Sequence, residues 1–274
     1  MASVTVETTK LKSALERLYQ RFNRRVNVEG DPLGFLYRYS DPRDQEIVGF
    51  IASSLSFGNA RQIVRSISCV LEPMGPAPAR YLTHSRPASI AGDCGGFKHR
   101  WVTGENVATM LNGLGSVLRR YGSLEACFKQ GLHEKDKDII PSLTRFVDEI
   151  SGRSSGGMQY LLPSPCRKSA CKRLNLFLRW MVRSDEVDPG VWSGIPASKL
   201  IVPLDTHVFR LSRTMGLTGR NQADIRSARE ITDGFRAIAP DDPVRYDFSL
   251  ASLGMRGGDG EKAFLRELGL REAV

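Results

Sequence analysis

The sequence lacks the features that mark a membrane-spanning, exported or metal-stapled chain. No run of about eighteen apolar residues occurs, so a transmembrane helix of ordinary length is excluded. The first stretch, MASVTVETTKLKSALERL, has no basic-then-apolar order, and export is not expected. Cysteine is scarce and odd in number: Cys69, Cys94, Cys127, Cys166 and Cys171, with no CxxC pair among them. Neither a disulfide framework nor a four-cysteine zinc site follows from that set, and a reducing cytoplasm fits it best. Acidic side chains are also in deficit, 30 Asp+Glu against 39 Lys+Arg, which leaves a net charge of +9. Such an excess favours a polyanionic partner, although bulk charge alone is weak support. Internal repeats, low-complexity tracts and series of alternating strands with tight hairpin turns are all missing.

What remains is helical. The 274 residues are 41% hydrophobic and 25% charged, enough to bury a proper core in one domain or in one core split into two lobes. Leu11, Leu15, Leu18 and Phe22 recur at spacings of four, three and four, on one face of a helix opened by Thr8 or Thr9. Val107, Met110, Leu111, Leu114, Val117 and Leu118 repeat the pattern, as do Ile225, Ala228, Phe235 and Ile238. Pro and Gly gather between such runs, at 73–78, 92–96, 152–165 and 257–260, and these read as loops. The expectation is an all-α protein of ten or eleven helices.

Charge is uneven at short range. Between Leu161 and Arg183 stand six basic residues (Arg167, Lys168, Lys172, Arg173, Arg179, Arg183) and no acid. Leu174, Phe177, Leu178 and Met181 add an apolar stripe, so this helix packs on a core and turns a basic side outward. An acidic loop follows, and then VPLDTHVFRLSRTMGL. There Pro203 disfavours helix just before it, Asp205 is a strong N-cap, Val208, Leu211 and Met215 form the buried stripe, and Gly216 can end the helix left-handed. A capping aspartate is ordinarily only a cap.

The segment PLDTHVFRLSRTMGL resembles the hallmark of the helix-hairpin-helix (HhH-GPD) superfamily of base-excision DNA glycosylases, in which a Pro/Val-rich turn delivers an aspartate at a helix start. Asp205 matches the position of that family's catalytic aspartate. LPSPCRKSA (residues 162–170) is similar to the hairpin that precedes the helix bearing the catalytic lysine. EIVGFIASSLSFGNARQIV is similar to the family helix ending in Leu-Ser beside the DNA, and YDFSLASLGMRGG to the helix that follows the aspartate. Together the matches span roughly residues 44–258. The sequence also departs from the family. Ser164 and Cys166 replace hairpin glycines, and no cysteine follows Cys171, so the iron–sulfur cluster of many members is excluded. A longer lysine-to-aspartate interval is reminiscent of the archaeal 8-oxoguanine glycosylases.

The resemblance implies two helical lobes with a cleft between them: residues 43–202, carrying the hairpin-like segment 161–183, and a second lobe built from residues 1–42 and 203–274. It implies double-stranded DNA as partner, a modified base (an oxidised purine among the options) as substrate, and no metal or organic cofactor. The nucleophile is Lys168 by literal alignment with the hairpin. Helix length favours Lys172, from which RLNLFLRWMVR runs about three turns. Four residues apart, the two lysines would share a face if both were helical. Lysine must be neutral to attack a sugar carbon, and neighbouring cations with partial burial lower its pKa. Arg167, Arg173, Arg61, Arg210 and Arg213 are candidate DNA contacts, and Asn59 or Phe57 a candidate wedge for the gap left by a flipped base. Asn59 reads equally as the N-cap of NARQIVRSISCVL, His207 as a hydrogen-bonding residue at a helix start, and Trp180 and Trp192 as core. Two other functions compete: a non-catalytic helical DNA-binding protein, favoured by the missing glycines, and a helical enzyme acting on RNA or nucleosides.

Overall fold

The computed structural model describes residues 7–152, 160–167 and 169–270. Helix α1 (Thr8–Phe22) buries Leu11, Ala14, Leu15, Leu18 and Phe22, the face that the periodicity marks. Its N-cap is Glu7 rather than either threonine, and Glu7 makes no side-chain capping bond. The helix thus starts one residue early, on a side chain longer than the Ser, Thr or Asp that suits capping geometry.

Helix α2 (Pro42–Ser54) opens on Asp41, which accepts from Arg43 N at 2.8 Å with Pro at the first helical position. It is buried on nearly every side and packs on α9 (Lys172–Val182), α3 (Ala60–Leu71), α4 (Pro78–His84) and α7 (Leu124–Lys129). Glu46 lies within this central helix. Its carboxylate accepts from Leu124 N, Glu125 N and Trp192 Nε1, and burial, only partly offset by these donors, pushes its pKa up to about 7. Helix α6 (Gly104–Tyr121) packs on α4, α5 (Pro87–Asp93), α7 and α8 (Ile140–Ser151). Helix α10 (Thr206–Thr214) packs on α12 (Asp247–Arg256), as do α1 and α13 (Gly258–Glu267), while α11 (Ile225–Arg236) precedes α12 in the chain. The buried apolar cluster runs without a break from Leu11 to Leu270.

Thirteen α-helices stand among the described residues, more than periodicity predicts. The surplus comes from α4, α5 and α7, of seven, seven and six residues, too short for a 3.6-residue repeat to register. Pro78 starts a helix instead of closing a loop, and Pro87 starts another, because proline lacks only an N–H that the first turn does not use. The expected loop at 257–260 shrinks to Gly257, and the φ of 55° there and of 64° at Gly258, the first residue of α13, let α13 follow α12 directly. A two-residue hairpin, β1 (Lys98–His99) and β2 (Val102–Thr103), is likewise too short for alternation to reveal. No helix among the described residues is long and apolar enough to cross a membrane.

One crossing fixes the start of α10. A Cβ built on Gly254 of α12 would lie 2.5 Å from His207 Cβ. Only the absence of that atom lets the two helices approach so closely.

Candidate functional site

Lys172 is the first residue of α9, preceded by Cys171 in the left-handed conformation at φ 47°. Cys171 N donates to Ser169 Oγ at 3.2 Å, and its thiol faces the Pro163 carbonyl at 3.5 Å. The eleven residues of α9 make three turns, the length read from Lys172, and bury Leu174, Phe177, Leu178 and Met181. Asp205 is the N-cap of α10, and one of its oxygens, Oδ1, accepts from Val208 N at 2.7 Å. The other, Oδ2, lies 3.9 Å from Lys172 Nζ. Capping and facing the lysine are therefore not alternatives for this carboxylate; each oxygen does one. Gly216 has φ 77° and closes α10 with the Leu217 N to Ser212 O bond of a left-handed helix end.

A cavity of about 410 Å³ opens beside this pair, walled by Asp31, Phe57, Trp180, Asp247 and Phe248. Asp31 caps the 3-10 helix Pro32–Arg38 through Leu33 N at 2.8 Å, and burial raises its pKa. Burial likewise pushes Asp247 up to about 6; the Arg179 charge opposes that rise and the Asp205 charge adds to it. Arg179, buried on α9, binds Asp247 through Nη1 and Asp188 through Nε at 3.2 Å. Arg183, one turn on, is held by Asp242, Asp185 and Asp188. Buried ion pairs thus lock α9 to α12 on the floor of the cavity. Two polar atoms of the wall, Trp180 Nε1 and Asp247 Oδ1, are buried with no hydrogen-bond partner, an uncommon state that a bound ligand can relieve.

The remaining expected site residues divide. Lys168 lies outside the described residues, as does the side chain of Arg167, and α9 begins at Lys172. Asn59 is the N-cap of α3 and accepts from Arg61 N at 3.0 Å, with both residues exposed. Arg213 is exposed and donates to Asn221 Oδ1 at 2.7 Å. Two arginines expected to face DNA are committed elsewhere. Arg173 donates to the carbonyls of Ser54 and Tyr160 and stands over the Phe57 ring, with desolvation lowering its pKa to about 10. Arg210 forms a two-pronged pair with Glu261, which is itself buried. His207 packs its ring on Gly254 rather than bonding at the helix start. Trp192 is core and donates to Glu46, whereas Trp180 is buried but walls the cavity.

Sequence reasoning overlooked Asp31, Arg179 as an anchor, and Asp247. Asp31 carried a signal, since Asp before Pro is a helix-start pattern. Asp247 and Arg179 carried none, because only packing brings α9 and α12 together.

A family model described as "Protein of unknown function (DUF2400)" matches residues 31–256. The chain belongs to the DUF2400 family. The span matched to DUF2400 takes in Asp31, Lys172, Arg179, Asp205 and Asp247, and leaves α1 and α13 outside it. No curated protein and no solved structure matches the chain.

Proposed function

We propose that this protein is a DNA glycosylase with associated abasic-site lyase activity, acting in base-excision repair on a modified base of double-stranded DNA. The observation that carries the proposal is the Lys172 amine facing the Asp205 carboxylate at 3.9 Å on the edge of a cavity large enough for one base. Breaking an N-glycosidic bond builds positive charge on the deoxyribose, and the half-buried Asp205 carboxylate stabilises it. Lys172 Nζ, as the neutral amine, forms a bond to C1′ while the C1′–N bond breaks, its electron pair leaving with the base, which takes up a proton. The amine's own proton goes to Asp205 Oδ2. The C1′–O4′ bond of the resulting aminal then breaks, O4′ taking up a proton, and the Schiff base so formed loses a C2′ proton and expels the 3′ phosphate by β-elimination. The lysine-to-aspartate interval favours an oxidised purine as the base class, and a flipped base would enter the cavity between Phe57, Trp180 and Phe248.

In this reading residues 43–202 form one helical lobe, and residues 1–42 with 203–274 the other. The packing of α1 and α10 on α12, and of α2 on α9, fits that division, while the 3-10 helix Pro32–Arg38 packs on α2 across it. The cavity is lined from both sides, by Asn27 to Pro32 and the α12 residues on one and by Ser56 to Ala60 and α9 on the other. A second reading, a DNA-binding protein without chemistry, draws on Ser164 and Cys166 standing where the resembling hairpin has glycine.

Borohydride trapping on DNA containing an abasic site separates the two. Wild-type protein and Lys168→Ala should give a covalent adduct, and Lys172→Ala none. Asp205→Asn should slow base release by about 10²–10³-fold, the usual cost of losing one stabilising group. An adduct lost in Lys168→Ala but kept in Lys172→Ala would reassign the nucleophile. No adduct and no base release from a lesion panel with wild-type protein would leave only the non-catalytic reading.

A further inference from the structure

The exposed large apolar side chains among the described residues are Val26, Trp101, Tyr160 and Met255. Three of them stand at the cavity. Met255 lines it, and Trp101, 53% exposed, stacks on the lining residue Phe57 with ring centroids 5.4 Å apart and planes 24° from parallel. Tyr160, 55% exposed, tilts against Trp101 at 6.2 Å. Trp101 is delivered by the β1–β2 turn, whose Arg100 holds φ 56° and sets its guanidinium 4.7 Å from the Trp101 ring. Arg100 and Cys171 are the two non-glycine residues with positive φ among those described; Arg100 directly precedes Trp101, and the buried Cys171 directly precedes Lys172. Backbone strain of this kind persists where the surroundings impose it, and it clusters at working sites.

The hairpin is also anchored from beneath. His99 is buried; its Nε2 donates to the Phe57 carbonyl at 2.9 Å, and its Nδ1 takes the Ser66 hydroxyl at 2.9 Å. Trp101 is therefore a rigid, exposed aromatic face rather than a loose loop side chain. Two segments frame it, 55–71 and 94–104: Arg61, Arg65, Lys98 and Arg100 stand exposed on them, and neither segment contains an Asp or Glu. An apolar stacking face set in an acid-free basic frame has the chemistry of a nucleic-acid contact, in which phosphates meet the cations and a base meets the ring.

We infer that Trp101, backed by Phe57 and Arg100, is a stacking platform for an unpaired base of the bound DNA, outside the cavity and distinct from the base that enters it. The inference rests on the glycosylase reading. The Phe57 ring is already covered by Trp101 and by Arg173, so the exposed member of the stack is Trp101, and it supplants both Phe57 and Asn59 as the side chain that meets the opened duplex. A fully paired duplex offers no base face to this ring. A duplex holding an abasic site leaves the opposite base without its partner, and that base can stack.

The test compares two short duplexes, one fully paired and one with a central tetrahydrofuran abasic analogue, by fluorescence anisotropy and tryptophan emission. Trp101→Ala should bind the abasic duplex about tenfold more weakly and the paired duplex within about twofold of wild type, with Trp101→Phe recovering most of the loss. The abasic duplex should quench the exposed tryptophan emission of wild type, and that quench should vanish in Trp101→Phe. Unchanged affinity of Trp101→Ala for the abasic duplex, or an equal loss on both duplexes, would overturn the platform. Should Trp101→Ala bind as wild type while wild type still traps on abasic DNA, only the platform fails. Should wild type bind neither duplex, the glycosylase reading fails with it. Unaltered thermal unfolding of Trp101→Ala, expected for an exposed side chain, guards against a folding artefact.

Discussion

Replacing Gly254 with alanine sets two physical effects of opposite sign against each other. In a helix interior, alanine is favoured over glycine by about 1 kcal/mol, so propensity alone makes Gly254→Ala stabilising. The added Cβ would sit 2.5 Å from His207 Cβ, 3.0 Å from its Cγ and 3.1 Å from its Nδ1. Both Cβ atoms are fixed to helical backbones, so no flexible side-chain end can yield; α10 and α12 must separate by roughly 1 Å to restore a normal carbon–carbon contact. Overpacking of this kind costs about 1–3 kcal/mol, and the backbone origin of the clash puts it at the upper end. A net loss of about 1–2 kcal/mol is therefore expected, or a fall in melting temperature of about 2–8 °C for a chain of this length. Urea unfolding at constant slope measures it. Adding His207→Gly removes the opposing Cβ, and the double variant should be more stable than the sum of the two single changes by about 2 kcal/mol. Because Asp205 caps α10 two residues before His207, the same separation should move Asp205 away from Lys172 and depress adduct formation. A Gly254→Ala protein as stable as wild type, or more so, would refute the close crossing.

Three further outcomes follow from the buried charges. Arg179→Leu leaves Asp188 and Asp247 without their shared cation and should cost about 3–5 kcal/mol in urea unfolding; a loss below about 1 kcal/mol would contradict the buried network. Glu46 has a folded-state pKa near 7 against an ordinary 4.5, so the folded protein holds this proton more tightly than the unfolded chain. Its contribution is then full below pH 4.5 and is lost as pH rises through 7, a change of about 3 kcal/mol. The difference in unfolding free energy between wild type and Glu46→Gln should follow that course, and a difference independent of pH would refute it. Asp205→Ala should lose the cap and about 1 kcal/mol of stability, whereas Asp205→Asn, which still caps, should unfold as wild type does. Equal stability losses in both variants would mean that the carboxylate charge, not the cap, holds the helix.

Much of the local structure was legible because it is local. Apolar residues at helical spacing announced α1, α6, α9 and α11, and the buried face of each is the one that the spacing marks. Asp205 as a cap and Gly216 as a helix end depend on their own neighbours, and both stand as read. Short helices and the hairpin of two-residue strands escaped for the same reason, since none of them repeats a pattern more than about twice.

The sequence by itself determined an all-α chain, the start of α10 on Asp205, the three turns that follow Lys172 and the local surplus of positive charge. Tertiary structure alone decided which charges pair with distant groups. Arg173 and Arg210 differ from Arg61 in nothing that composition can show; the first meets carbonyl groups and the second, still exposed, a buried carboxylate from a distant segment. It also brought Asp31 and Asp247 to the cavity that Lys172 and Asp205 share, and set Trp101 outside it against Phe57. These residues lie far apart along the chain, and the burial energy that joins them depends on how helices cross. No short window of sequence carries that information.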